Sequence, residues 1–174
     1  MKKLLFALLM LVAVAGSAQI EKPITKGNMM VGGAMQFSKW SIHFDNVQFN
    51  ASPSFGYFIA NQLAVGIELP VSVFKMAQIH NYSYGYSPFV RFYMKNGLFF
   101  SLQFSHIFSD NQDINMNRSK MNFFVIAPGI GYSYFLNKNI ALEGGVFYEQ
   151  TIFNNSIGSQ GELGLRFGFR IFLP

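Results

Sequence analysis

The chain has no cysteine. That excludes a disulfide framework, and it excludes a lipid anchor attached through a cysteine behind a leader. Charge is scarce as well. Only 12% of residues are Asp, Glu, Lys or Arg, against about 25% in average soluble proteins. The formal net charge is +5, and without Lys2 and Lys3 it is +3, 11 basic residues against 8 acidic. The bases are scattered with no dense Lys/Arg run, so a nucleic-acid footprint is missing. Beyond the first eighteen residues no apolar stretch approaches the roughly 20 that a spanning helix needs. A phosphate-binding Gly-rich loop with its Lys and a dinucleotide fingerprint are both absent.

What the chain does have is apolar surface: 51% hydrophobic and 17% aromatic residues over a length of 174, enough for one domain. A chain this apolar, without a membrane helix, is either a very buried soluble domain or a membrane barrel. Its first residues read as a secretory signal. Lys2 and Lys3 form a basic start, Leu4 to Ala15 an apolar core, and Gly16-Ser17-Ala18 a small-residue cleavage site. The apolar core of twelve residues is too short for a membrane anchor, which needs about 20. The expected division is a signal peptide over 1–18 and a barrel domain over 19–174.

Eight segments carry a period of two. They run over about 28–40, 46–60, 62–74, 82–94, 97–108, 119–136, 139–152 and 162–173. The last is the clearest. One parity reads Leu163, Leu165, Phe167, Phe169, Ile171, Leu173, and the other Glu162, Gly164, Arg166, Gly168, Arg170, with Phe172 off-pattern. Side chains alternate faces along a strand, so one face is continuously apolar and needs lipid or another protein layer against it. Short turns at Ala60-Asn61-Gln62, Lys95-Asn96-Gly97 and Leu136-Asn137-Lys138-Asn139 alternate with longer polar connections at about 41–45, 75–81, 109–118 and 153–159. An even strand number with short turns at one end and longer loops at the other is the arrangement of bacterial outer-membrane barrels. It places both termini on the periplasmic side. The expected fold is therefore all-β, an eight-stranded antiparallel up-and-down transmembrane β-barrel.

Pro53-Ser54-Phe55-Gly56-Tyr57, Pro88-Phe89-Val90-Arg91-Phe92 and Pro128-Gly129-Ile130-Gly131-Tyr132 share Pro-x-apolar-x-aromatic, each leading to a short turn. The repeating unit is a β-hairpin. Because Pro lacks a ladder donor, bends or bulges are expected at these three positions. The less apolar parity is mostly Gly, Ala, Ser and Gln. That is too poorly charged for a solvated exterior, but it suits a lumen that eight strands make just wide enough to fill with side chains. The charges on this parity are Glu68, Arg91, Glu143, Glu149, Glu162, Arg166 and Arg170. Buried charges are costly alone, so these seven are expected to form a lumen ion network. It would be a polar plug that fixes register or, on the other reading, a gated pore or proton path.

Lys26-Gly27-Asn28-Met29-Met30-Val31-Gly32-Gly33 resembles the first strand of small porin-family outer-membrane β-barrel proteins of Gram-negative bacteria. So do Ser52-Pro53-Ser54-Phe55-Gly56-Tyr57-Phe58-Ile59 and Leu63-Ala64-Val65-Gly66. The resemblance covers essentially the whole mature chain and implies an outer-membrane barrel, usually without an assigned activity. It implies as partners outer-membrane lipid and lipopolysaccharide, with barrel-assembly machinery during biogenesis and a monomeric state. The closing strand resembles the signal that this machinery reads, which usually ends in an aromatic residue. Here Phe172 is followed by Leu173 and Pro174.

Catalytic and cofactor chemistry is thin. Some eight-stranded barrels modify lipid A, and the deacylases among them use a His-x-Ser pair on a strand with an acid nearby. Here His106 is followed by Ser109 as His-x-x-Ser, which places the two on opposite faces of a strand, and Ser105 is opposite too. His106 reads as an interfacial polar residue. Asp113, Asn115 and Asn117 begin like a calcium loop, but Arg118 stands where Gly is required and Phe124 where the bidentate Glu belongs. His43, Asp45 and His80 come from separate loops. The expectation is a non-enzymatic barrel with no catalytic residues, metal or cofactor, acting structurally or through four outer loops. A narrow channel for small solutes is the alternative, with a lipid A-modifying enzyme behind it.

Overall fold

The computed structural model describes residues 23–37, 46–76, 79–112, 118–153 and 159–174. The expected leader and cleavage site lie outside these residues, as do His43, Asp45, Asp113, Asn115 and Asn117. The described strands are β1 (Met29–Phe37), β2 (Asn46–Ala60), β3 (Leu63–Glu68), β4 (Val71–Met76), β5 (Ile79–Tyr93), β6 (Leu98–Gln112), β7 (Arg118–Phe135), β8 (Ile140–Phe153) and β9 (Ser159–Leu173). Every pairing is antiparallel. β3 and β4 both lie between β2 and β5, so they are two halves of one stave. β9 returns to pair with β1, from Met29↔Leu173 to Phe37↔Leu165. The sheet is thus a closed eight-stranded barrel. Closure leaves no strand edge exposed for pairing with another chain.

Prolines explain the divided stave. Pro53 of β2 faces Leu69, and with no N–H it keeps only one of the two ladder bonds, Leu69 N–H donating to Pro53 O at 2.8 Å. Pro70 does the same toward β5, where only Gly85 N–H to Pro70 O remains, at 3.0 Å. Of the bends or bulges expected at the three repeated prolines, no bulge forms. Around Pro88, pairing runs Tyr86↔His106 and then Phe89↔Gln103 without a shift. Around Pro128 it runs Ile126↔Gln150 and then Gly129↔Phe147. In a twisted closed sheet each proline costs one hydrogen bond and leaves the register alone. The one register shift among the described pairings falls between Phe58 and Ala60, beside a short turn in which Gln62 has φ 70°.

The alternation of the sequence becomes the wall of the barrel. On β9, Leu165, Phe167 and Phe169 are 49%, 53% and 51% exposed, while Gly164, Arg170 and Phe172 are buried. β5 repeats this, with Tyr84, Tyr86, Val90 and Phe92 exposed and Ser87, Phe89, Arg91 and Tyr93 buried. The strand halves apart, the staves have from 9 to 18 residues, which meets the roughly 9–11 that a tilted strand needs to cross a bilayer. No described helix is long and apolar enough to cross a membrane. Side chains facing the lumen form the core.

Candidate functional site

The lumen is layered. At the short-turn end it is closed by an apolar floor of Ile24, Met30, Phe58, Tyr93, Phe99, Phe135 and Phe172 with Ala64 and Ala141. Phe172 holds the centre of this floor. Its ring lies 5.3 Å from Phe135, 6.1 Å from Tyr93 and 6.2 Å from Phe58, centroid to centroid. The residue that breaks the alternation of the last strand is therefore the floor's central ring. The segment before β1 lies across the same end. Gln62 N–H donates to Ile24 O at 2.8 Å, Gly27 N–H to Phe58 O at 3.0 Å and Lys26 N–H to Asn61 Oδ1 at 3.0 Å.

Glycines make room for the large rings. A Cβ on Gly131 would sit 2.4 Å from Phe99 Cζ, and one on Gly129 would sit 2.3 Å from the Phe147 ring. Gly66 gives space to Phe89 and Gly56 to Met30 in the same way. Reading by parity misses these inward aromatics, because alternation tracks polarity along a strand and not volume across the lumen. The recurrent glycines on the same parity are the signal that accompanies them.

Above the floor sits a carboxylate with four partners. Glu143 of β8 accepts from Arg91 Nη1 of β5 at 2.7 Å and from Arg170 Nε of β9 at 2.9 Å, both on Oε2. On Oε1 it accepts from Tyr93 at 3.0 Å and Ser133 at 2.9 Å. Arg91 Nη1 also donates to the Tyr93 hydroxyl at 3.2 Å, and Arg170 Nη1 donates to Ser54 Oγ. The Arg91 guanidinium lies 4.4 Å over the Phe99 ring and 5.3 Å over Phe89. Charge-assisted bonds of this kind are the strong ones, and cation–π contact adds to them when desolvated.

A second pair lies nearer the loop end. Arg166 Nη2 meets Glu149 Oε1 at 2.7 Å, Arg166 Nη1 donates to Gln103 Oε1, and the guanidinium lies 4.3 Å over Phe147. This pair is wetter than the first, the Arg166 and Glu149 side chains being 13% and 22% exposed. Glu68 is buried at 4% exposure and lines the same small cavity as Arg91, Glu143, Arg166 and Arg170. Among the described residues it takes no hydrogen bond or ion pair. Glu162 is exposed and faces Glu149 across β8 and β9. The structure thus joins Arg91, Glu143 and Arg170 in one cluster and Arg166 with Glu149 in another. It sets Glu68 beside them and leaves Glu162 out. The cavity they share is about 20 Å³, room for about one water molecule.

The loop half of the lumen is lined by hydroxyls and amides. Ser87 donates to Ser105 at 2.7 Å, and Ser109 bonds to Asn81 and Ser83, both at 3.0 Å. Ser105 and Ser109 are therefore committed inside the barrel. His106 stands on the outer wall with Nδ1 3.1 Å from the Tyr86 hydroxyl. No Ser–His bond forms, because the strand puts the two on opposite sides of the sheet. No group of three or more His, Asp or Glu placed to hold a metal occurs among the described residues.

No family model and no curated protein matches the sequence. Among solved structures, the N-terminal β-barrel domain of Pseudomonas aeruginosa OprF aligns with TM-score 0.54 and 14% identity, over 85% of this chain and 98% of that one. Neisserial surface protein A aligns with TM-score 0.49 and 18% identity, over 83% and 95%. The Yersinia pestis outer membrane protein Ail, in a phospholipid bilayer nanodisc, aligns with TM-score 0.47 and 14% identity, over 84% and 99%. At these identities the likeness is one of fold: the closed eight-stranded barrel of the OprF domain is the fold of this chain.

Proposed function

We propose that this chain is an integral outer-membrane β-barrel with a structural or surface-directed role and no catalysis of its own. The observation that carries the reading is the outer wall. Apolar side chains project from every stave, from Val31 on β1 to Phe169 on β9, while Glu68, Arg91, Glu143 and Arg170 are buried on the inward face. A surface of that extent is unfavourable in water and matches the apolar band of a transmembrane barrel. The leader and the OprF-like fold agree with export to an outer membrane.

Both described chain ends lie with the short turns, and on this reading that end is periplasmic and the other connections face outward, although the one expected at about 75–81 is cut to two residues because β4 runs to Met76 and β5 starts at Ile79. Contact with outer-membrane lipid and lipopolysaccharide, insertion by barrel-assembly machinery and a monomeric state belong to the same reading. The alternative, a narrow channel, draws on the lumen charges. The aromatic floor and the cavity of about 20 Å³ weigh against it. Lipid A chemistry through His106 has no nucleophile on its side of the sheet.

The test is envelope fractionation together with gel mobility of detergent-folded protein, boiled and unboiled. Recovery in the outer membrane and a heat-dependent mobility shift are expected. Soluble periplasmic protein with no shift would end the proposal.

A further inference from the structure

The outer wall carries one feature that its apolar character does not call for. Just above the middle of β6, His106 faces outward between Tyr86 on β5 and Phe124 on β7. Its ring stacks on Phe124 at 4.3 Å and 13°, and lies 4.4 Å from Phe108. Tyr86 meets it edge-on at 5.5 Å, with the phenol oxygen 3.1 Å from Nδ1. Three aromatic neighbours and a hydroxyl thus hold the imidazole in one orientation. Packing alone would be served by another phenylalanine, as at Phe104 and Phe108 on the same parity.

We propose that Tyr86 and His106 form a site for the phosphate group of a membrane lipid. The proposal rests on the membrane reading of the outer wall. The contact fits either ring tautomer; in the one the site uses, the Tyr86 hydroxyl donates to Nδ1 and the ring's proton is on Nε2, which has no partner among the described residues. A donor at membrane depth needs an acceptor, because hydrocarbon supplies none. Depth selects that acceptor. From Leu98 at the short turn, β6 climbs about 20 Å to His106, at about 3.4 Å per residue and a tilt near 40°. In an apolar band about 25 Å tall, this brings the ring close to the outer headgroups.

The next charged row outward pairs Asp110 with Lys120 across β6 and β7. The charges of that row cancel, so a ligand is held by hydrogen bonding and not by net charge. A lipid phosphate offers acceptor oxygens to Nε2 while its glycerol and acyl chains lie on Phe108, Phe124 and Tyr84. A free anion would gain nothing from those rings.

The test uses the full chain folded in neutral detergent, with His106→Phe and Tyr86→Phe alongside. A heat-dependent gel shift checks folding, and its absence in wild-type protein would overturn the membrane reading and this site together. Native mass spectrometry then counts retained phosphatidic acid against diacylglycerol with the same acyl chains. Wild-type protein is expected to retain phosphatidic acid about tenfold better, the scale of one hydrogen bond to a charged group. His106→Phe should lose that preference and Tyr86→Phe should lose part of it. Equal retention of the two lipids by wild-type protein would overturn the proposal, as would an unchanged preference in folded His106→Phe. Displacement of the lipid by an equal concentration of inorganic phosphate would also overturn it, by showing a free-anion site.

Discussion

Replacing Glu143 by Gln keeps the shape of the side chain and removes one buried charge. Its carboxylate serves Arg91 and Arg170 from one oxygen and Tyr93 and Ser133 from the other. The carboxamide keeps one acceptor and turns an NH₂ either toward two guanidinium groups or toward two hydroxyls. Two charge-assisted bonds are weakened, each worth about 1.5–3 kcal/mol, and breaking a buried ion pair by removing one partner costs about 3–5 kcal/mol. Glu68 in the same cavity and the rings under Arg91 offset part of this. The expected loss for Glu143→Gln is about 3 kcal/mol. Little of it is lost to solvent screening, since the Glu143 side chain is only 8% exposed. The assay is equilibrium urea unfolding from phospholipid vesicles, followed by far-ultraviolet circular dichroism and by the folded band on unboiled gels. The quadruple variant Glu68→Gln, Arg91→Met, Glu143→Met, Arg170→Met removes every charge of the cluster together with the buried carboxylate beside it. It should lie closer to wild type than the single change does, because no buried ion is left unpaired. A single variant within about 0.5 kcal/mol of wild type, the usual range of a bland surface change, would refute the argument that these charges act as a buried unit.

The two remaining lumen arginines should differ. Arg170→Ala takes one of the two guanidinium partners from Glu143 in the dry cluster and is expected to cost about 3 kcal/mol, whereas Arg166→Ala acts on the wetter pair and should cost about 1 kcal/mol in the same titration. Gly131→Ala places a methyl group against the Phe99 ring and the Gly144 carbonyl, at 2.4 and 2.6 Å. It should destabilise by about 1–3 kcal/mol, with Gly131→Ala/Phe99→Leu recovering part of the loss. Phe172→Ala empties the centre of the floor and should cost about 3–5 kcal/mol. Planar-bilayer recordings of the same variant should still show no conductance above background, because the Glu143 cluster closes the lumen a second time. Stable single-channel steps from wild-type protein would contradict both closures.

Much of the barrel can be read along the chain because a strand's two faces are written in alternate residues. Leu163 to Leu173 declares an apolar outside face, and Arg166 and Arg170 an inside one, before any partner strand is known. Pairing across the lumen is different in kind. Arg91 and Glu143 sit on β5 and β8, which are not neighbours in the sheet, and their meeting depends on strand stagger and barrel width. No local pattern encodes either quantity. Glu162 shares the parity of Arg166 but lies too near the loop end to be enclosed. The inward position of Met30, Phe58, Phe99 and Phe135 is hidden in the sequence for a related reason: a large apolar side chain on the inward parity looks like an interruption until the glycines opposite it are counted as space.

β9 makes the seam with β1, supplies Arg170 to Glu143 and carries Phe172 into the floor. Its arginine also reaches Ser54, 116 positions earlier in the chain. Contacts of such long range are slow to form. Until this strand arrives, the barrel has an open seam, a carboxylate that lacks the second of its two arginines and a gap in its base. All three defects are cured in one step. Assembly should therefore behave like a latch, with no durable half-closed form between an open sheet and the finished cylinder. A kinetic trace of insertion should show the seam, the charge cluster and the floor appearing with a single rate.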